Sequence, residues 1–250
     1  MTEFGVDPWE GPLPPGDAVP RRYRGVWQRS LLETANQRDD TTFVRWLQLG
    51  HWHADLRIPV VARSGMAGRP QPPYGAHQLA LLALQQGFAG VTRVVADSRG
   101  EVCTWHRRVD YQPPGPSPDA GYMTFETPDR VVECGVHGSY REVWHRLPGS
   151  DGPFRAVAEP MRFDGQPGVR LFQAGRYLMR VQPCRHVWQP DFEISFGEIE
   201  DGGWHITHST RPELEGGYLD VSLRRLDERQ AQVVLGPAKP AIWLVLEWAD

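Results

Sequence analysis

Short apolar stretches rich in Val, Trp, Phe, Tyr and Leu recur along most of the chain, and Gly, Pro, Asp and Ser break them. Each stretch has the length of a β-strand. Many short strands at close, regular spacing are typical of a β-sandwich or a β-barrel. The sequence therefore predicts an all-β protein. The predicted strands cover residues 24–31, 42–49, 51–58, 88–95, 101–109, 140–147, 168–174, 176–182, 192–199, 204–209, 218–224, 230–235 and 241–248.

One segment has the composition of an α-helix. Residues 76–86 are rich in Ala, Leu and Gln, with Gly75 in front of them and Gly87 behind. Ala, Leu and Gln favour helix, and glycine commonly ends one. A single helix inserted into a run of strands predicts a lid or plug over one end of a barrel.

An internal repeat divides the chain. Segment 23–29 shares five of seven residues with 140–146, segment 44–50 resembles 169–175, and Trp105-His106 recurs as Trp204-His205. Three matches in the same order indicate a duplicated β-unit, and closing each unit into a barrel removes its exposed strand edges. We therefore predict three regions along the chain. These are an extended N-terminal arm over 1–21, a first β-barrel over 22–137 with the helix inserted at about 75–86, and a second β-barrel over 138–250.

The opening strand carries a short motif. Gly25-Val26-Trp27 resembles the Gly-x-Trp that begins the first strand of lipocalins and other calycins, and it recurs without the glycine as Glu142-Val143-Trp144. The whole chain also resembles a group of fungal and bacterial proteins that are built from two calycin-like barrels and have no established chemistry. Segments 46–48 and 54–59 carry most of that likeness. The resemblance implies two tandem calycin-like (lipocalin- or nitrobindin-like) antiparallel barrels, and it implies no catalytic residue.

The composition narrows the class of partner. The formal charge is −4 and the arginines are scattered, whereas nucleic-acid binding needs a concentrated basic surface. The longest apolar stretch, 241–246, is far shorter than the roughly 20 residues that span a membrane, and the N-terminus lacks the pattern of a signal peptide. The three cysteines are widely spaced and form no CxxC pair, which argues against a disulfide framework or a structural zinc site. We expect a cytoplasmic protein that binds neither nucleic acid nor membrane, and the single lysine and single asparagine favour a GC-rich, bacterial genome.

Segment 51–58 holds the densest group of polar side chains. Because strands alternate faces, Trp52 shares one face with aliphatic residues, and the other face presents His51, His53, Asp55 and Arg57. Two histidines spaced in this way can reach one ligand or one proton-transfer site, and the Asp and Arg can orient them or bind a carboxylate. Three interpretations stay open: a polar face in water, a polar-lined ligand cavity, and a metal site. No metal-ligand set is assigned, because the sequence contains no established metal motif.

Ten tryptophans are many for this length, and most fall in or beside predicted strands. Packing in the core is the ordinary interpretation, since large aromatic side chains dominate burial. The alternative is that Trp46, Trp52 and Trp105 line a site for a flat apolar or aromatic ligand. No cofactor is predicted, and a haem held by a single histidine such as His106 or His205 is the alternative.

Three functions are consistent with this pattern. The first is binding of a small apolar or amphipathic molecule in the first barrel, beneath the helix, with the tryptophans supplying contact area. The second is a cofactor-independent isomerase, cyclase or lyase that uses a barrel-lining histidine and holds an anionic substrate with Arg57. The third is a non-catalytic scaffold with filled barrels. The sequence leaves the ligand, the oligomeric state and the choice between catalysis and binding open.

Overall fold

The computed structural model describes residues 16–64, 66, 71–113, 115–160, 168–184 and 192–250. These residues form two antiparallel sheets and one α-helix. The first sheet contains β1 (Gly25–Thr34), β2 (Arg38–Asp39), β3 (Phe43–Gln48), β4 (Trp52–Ile58), β5 (Gln86–Asp97), β6 (Gly100–Asp110), β7 (Asp119–Thr127), β8 (Arg130–Gly135) and β9 (Tyr140–Arg146). The second contains β10 (Phe154–Ala158), β11 (Arg170–Ala174), β12 (Tyr177–Pro183), β13 (Phe192–Glu200), β14 (Gly203–Ser209), β15 (Tyr218–Arg225), β16 (Gln230–Leu235) and β17 (Ala241–Ala249).

Both sheets close on themselves. In the first, β1 pairs with β3 at one edge and with β9 at the other, so eight strands form a ring, and the two-residue β2 pairs with the far half of β1. We call this the first ring. In the second, β10 pairs with β17 and completes a closed eight-stranded barrel, which we call the second ring. The prediction of a mostly β, barrel-containing protein is confirmed.

The division between the sheets differs from the predicted one. Segment 140–146 was expected to open the second barrel, but as β9 it pairs with both β8 and β1 and closes the first ring. The second ring begins at Phe154. Trp27 and Trp144 therefore come from neighbouring strands of one ring, and the repeat at these positions does not mark a boundary. The other two matches do fall at equivalent places, because β3 and β11 are each second in their ring and β6 and β14 are each fifth.

Four strands were missed by the sequence analysis. β7 and β8 form a hairpin whose turn holds Thr127 and Arg130, and its Gly, Pro and acidic residues weaken the apolar pattern. β2 and β10 have two and five residues, too few to show clear alternation. β7, β8 and β10 complete the hydrogen bonding of their rings, and β2 adds a short pairing to β1.

The α-helix is shorter than predicted and lies beside the rings. α1 covers Ala76–Leu82, and Gln86 already belongs to β5. Its buried face packs Leu81 and Leu82 against Met66 and Tyr74, and the Tyr74 hydroxyl donates to Glu213 of the second ring. The segment before the helix thus contacts the second ring, and no helix residue belongs to the apolar cluster inside the first ring. No helix in the described part of the chain has the length and apolar character needed to cross a membrane.

The N-terminal approach packs on the first ring. Residues 1–15 of the predicted arm lie outside the described residues. Val19 is 1% exposed and its N–H donates to the Gly50 carbonyl at 2.7 Å. The chain then turns through a short 3-10 segment, Arg21–Tyr23. Tyr23 and Trp27 are fully buried at the end of the first ring where β1 begins.

A shared apolar layer joins the two rings. The outward faces of β3 and β4, including Leu47 and Leu56, pack against Phe172, Ile194 and neighbouring side chains of the second ring. Because strand side chains alternate, covering this outer face with protein leaves the opposite residues of β3 and β4 to point into the first ring. The polar residues of β4 therefore face inward.

Candidate ligand-binding cavity

A cavity of about 460 Å³ opens inside the first ring, at the end opposite to Trp27. It starts at Arg29 on β1 and widens toward Thr34, while the earlier part of β1 is sealed by the buried Tyr23 and Trp27. Residues from all eight strands of the ring contribute to its wall, and Asp119 is the contribution of β7. Pro59, Leu84 and Gln86 lie at its mouth.

Aromatic side chains form one part of the wall. Trp46 makes edge-to-face contacts with Trp105 at 5.3 Å and with Trp144 at 5.8 Å between ring centroids. Phe88 lines the cavity beside them. Offset and edge-to-face pairs are the favoured arrangement of aromatic rings, so Trp46 joins the three tryptophans into one packed surface.

Ion pairs form the other part. The Arg29 guanidinium donates to Glu142 and to Asp39, both at 2.7 Å, and so links β9, β1 and β2. The Arg57 Nε donates to Asp55 Oδ1 at 2.7 Å. Both arginines are largely buried, and a buried charge requires a partner of this kind.

The electrostatics of these pairs follow from burial and the neighbouring charges. Burial works to lower the pKa of Arg57, but Asp55 and Glu142 raise it above its ordinary value, so the guanidinium stays protonated. Burial raises the pKa of Asp39, but hydrogen bonds from Thr42 and Thr41 and the charge of Arg29 outweigh it and bring the pKa to about 2. Burial raises the pKa of Asp55 above its ordinary value, and the charge of Arg57 and its hydrogen bond oppose that rise.

Glu133 has a different environment. It is 3% exposed, and its two oxygens accept from the Tyr140 hydroxyl at 2.7 Å and from the Trp144 Nε1 at 3.1 Å. Burial and the negative charge of Glu142 hold the pKa of this carboxyl well above its ordinary value. Glu133 is thus a carboxylic acid that retains its proton where surface glutamates have lost theirs.

The structure places some of the predicted site residues at this cavity. Trp46, Asp55, Arg57 and Trp105 line it. Trp52 lies on the opposite face of β4, in the apolar layer between the rings, because its position in the strand alternation differs from that of Asp55. It therefore does not supply contact area inside the ring.

The two histidines of the segment lie outside the lining. His51 precedes β4, and its backbone N–H donates to Glu247 of the second ring at 2.9 Å. His53 points into the first ring on the side of the buried Gln48 and Thr92. The Thr92 hydroxyl donates to Gln48 at 2.7 Å and so accepts from His53 Nδ1 at 2.9 Å. Burial and the charge of Arg107 lower the pKa of His53 well below its ordinary value, so the imidazole is neutral.

These placements support neither the metal site nor the haem site that the sequence analysis kept open. Among the described residues, no group of three or more His, Cys, Asp or Glu side chains is arranged to hold a metal ion. His106 is exposed next to the buried Trp105, and His205 belongs to the second ring. Neither histidine lines the cavity of the first ring.

Several wall residues were not predicted from the sequence. They include Arg29, Asp39, Asp119, Glu133, Tyr140, Glu142 and Trp144. Strand alternation could have indicated some of them. Tyr140, Glu142 and Trp144 share one face of their strand, and Arg29 shares a face with Trp27. The placement of Glu133 depends on the β8–β9 register, which no local pattern shows.

The comparisons with known proteins bear on the fold. A crystal structure of the uncharacterized protein YLR301w from Saccharomyces cerevisiae is similar to this chain. The TM-score is 0.60, the identity is 13%, and the match covers 90% of this chain and 99% of the yeast chain. No protein-family model matches the sequence, and no curated protein matches it. The likeness to the yeast structure shows a shared fold. It carries no information about activity, because one fold can serve many functions.

Proposed function

We propose that the first ring binds a small amphipathic molecule in the cavity between the tryptophan cluster and the buried ion pairs. The observation that carries this proposal is the wall itself, with three tryptophans on one part and arginine–carboxylate pairs on the other. A volume of about 460 Å³ lies within the roughly 300–1,000 Å³ of ligand pockets. The wall presents about as much polar as apolar surface, which matches a ligand that has both an apolar and a polar part.

The two rings differ in a way that supports this assignment. The second ring encloses an apolar cluster that includes Leu171, Leu178, Trp204, Ile206 and Trp243. These side chains pack in its interior, whereas the first ring keeps a cavity of about 460 Å³. In this proposal both rings are calycin-like barrels, as the resemblance implies, the first holding the ligand and the second supporting it through the shared apolar layer.

A binding role is favoured over the histidine-dependent enzyme. A general acid or base must come within hydrogen-bond reach of the proton it transfers. His53 is neutral and its Nδ1 is engaged by Thr92, and it does not line the cavity. A thermal-shift screen distinguishes the binding role from a non-catalytic scaffold.

The test is a thermal-shift screen of small amphipathic molecules against two matched variants. Gln86 and Gln230 each begin a strand and are exposed, but only Gln86 lies at the cavity mouth. We expect compounds that raise the melting temperature of the unaltered protein and of Gln230→Trp, but not of Gln86→Trp, because the new indole narrows the entrance.

Two outcomes would contradict the proposal. Compounds that stabilise Gln86→Trp as much as Gln230→Trp would bind elsewhere on the protein. A broad screen without any stabilising compound would favour the scaffold.

A further inference from the structure

Glu133 on β8 is held in the cavity wall by its neighbours on the two adjacent strands, β7 and β9. It stands directly opposite Glu142 in the β8–β9 register. On the other side, β7 presents Gly121, where a Cβ would lie 2.5 Å from Glu133 Cγ. Only glycine therefore leaves room for this side chain, and the strand arrangement fixes the carboxyl against Trp144.

The other carboxylates of the wall are matched by arginines. Asp39 and Glu142 share Arg29, Asp55 pairs with Arg57, and Asp119 accepts from Arg107 at 2.6 Å. Within the described part of the chain, Glu133 alone of these five acids has neutral donors instead of an ion-pair partner. The cavity therefore has one carboxyl to which a ligand cation can pair.

The surrounding aromatic rings favour the same type of ligand. Trp144 donates to Glu133 through its ring edge and contacts Trp46, so the carboxyl lies at the border of the tryptophan cluster. A cation over a tryptophan face is attracted by the ring quadrupole, by roughly 0.5–2 kcal/mol according to its exposure. A carboxyl beside aromatic rings is complementary to an organic ammonium group attached to an apolar body.

We propose that the cavity selects small amphipathic molecules carrying a protonated amine, and that the ammonium group pairs with Glu133 while the apolar body packs on Trp46, Trp105 and Trp144. This inference rests on the proposed ligand-binding function of the first ring. It specifies the class of ligand and the residue that recognises it.

Proton release accompanies binding in this scheme. In the empty cavity the raised pKa of Glu133 keeps its proton, and an arriving ammonium group takes the place of that proton, which leaves to solvent. Charged and titratable groups face Glu133 from every neighbouring strand, namely Tyr140 and Glu142 on β9, Asp119 on β7, Cys103 on β6 and Arg57 on β4. Of these, Glu142, Asp119 and Arg57 are already ion-paired, so Glu133 is the group whose protonation the ligand changes.

The experiment is a calorimetric titration with three matched probes, 2-phenylethylamine, 2-phenylethanol and phenylacetate. We expect the amine to bind about tenfold tighter than the alcohol, a difference of about 1.4 kcal/mol, and the carboxylate to bind weakest. Titration at neutral pH in two buffers of different ionisation enthalpy is expected to show about one proton released per bound amine.

Variants assign the effect to Glu133. Glu133→Gln is expected to lose about tenfold in amine affinity and all proton release, with the affinity for the alcohol kept. The control Glu228→Gln makes the same substitution at an exposed position of the second ring and is expected to behave as the unaltered protein. The ranking of the probes and the proton release need no variant, so they test the proposal even if Glu133→Gln does not fold.

Several results would overturn the inference. One such result is that the alcohol or phenylacetate binds as tightly as the amine. Another is that Glu133→Gln keeps the full affinity for the amine. In both cases the proposal that the first ring binds a ligand would remain valid. If none of the three probes binds, the choice of an amine is overturned as well, and the Gln86→Trp screen decides the proposed function separately.

Discussion

A single carboxyl group, Glu133, has the environment that most distinguishes the cavity from an ordinary barrel core. It is buried, it faces the ion-paired Glu142, and its hydrogen-bond donors are a phenol and an indole. These donors satisfy the oxygens without supplying a positive charge. The protonated form is therefore favoured in the folded protein, which couples stability to pH.

The sign of that coupling gives a prediction. The pKa of Glu133 is higher in the folded than in the unfolded state, so between the two values the folded state binds more protons. The contribution of Glu133 to stability then falls as pH rises, by up to about 1.4 kcal/mol per pH unit. We expect Glu133→Gln to gain stability relative to the unaltered protein as pH is raised above about 4.5, measured by urea unfolding at a series of pH values. A difference that stays constant, or grows in the opposite sense, would show that the carboxyl ionises as freely in the folded state as in the unfolded chain.

At the scale of secondary structure, ring closure depends on polar contacts as well as on strand pairing. β9 joins β1 along their length, and Arg29 adds hydrogen bonds to Glu142 on β9 and to Asp39 on β2. The guanidinium thus holds three strands together at the base of the cavity. Removing it would leave two carboxylates without a cation in a largely buried site.

We predict that Arg29→Met lowers the free energy of unfolding by about 3–5 kcal/mol, the usual cost of breaking a buried ion pair from one side. Arg38→Met is the matched control, because Arg38 is exposed and pairs with Glu33 at the surface, where a change of less than about 0.5 kcal/mol is expected. Denaturant titration of both variants gives the comparison. The loss in Arg29→Met should shrink at acidic pH, as the unpaired carboxylates become protonated, and equal losses in the two variants would contradict a structural role for Arg29.

The strands show what the sequence could and could not establish about the site. Alternation in segment 51–58 correctly groups His53, Asp55 and Arg57 on one face. Whether that face points inward depends on the second ring, which covers the opposite face with its own apolar side chains. Long-range packing of this kind leaves no local signal, so both orientations had to stay open.

The repeat is a second example. Segments 23–29 and 140–146 resemble each other and pair antiparallel, with Trp27 opposite Arg146 and Trp144 opposite Arg29. Both segments place a tryptophan in the interior of the same ring, which gives a physical reason for their likeness without a boundary between them. Strand number and spacing predicted the fold class, whereas assigning each strand to a ring required the hydrogen-bond register.

The whole molecule is held together by the apolar layer between the rings and by polar contacts across it. Glu247 of β17 accepts from the backbone N–H groups of Gly50 and His51, at 2.5 and 2.9 Å. Arg63 donates to Glu215 and to the Ser209 carbonyl on the other side of the interface. Neither ring can lose this contact without exposing a large part of its outer apolar face.

We therefore predict that the rings unfold together. Leu56 is fully buried in the shared layer, and Leu56→Ala is expected to cost about 2–5 kcal/mol. Leu244→Ala, at a side chain that is 47% exposed on β17, serves as the control with little effect. Hydrogen exchange in urea, followed by mass spectrometry, should show that Leu56→Ala weakens the protection of strands in both rings equally. Loss of protection confined to the first ring would mean that the rings are independently stable.

Native mass spectrometry tests the central claim, that the first ring holds a small amphipathic molecule, most directly. The protein purified from its own cells is weighed intact, then denatured, and any released molecule is identified. We predict a stoichiometric small molecule with an apolar body and an amine, present in the unaltered protein and in Gln230→Trp and absent from Gln86→Trp. A binding role for the cavity would be contradicted if the unaltered protein carries no such molecule and Gln86→Trp matches it in ligand content and in stability.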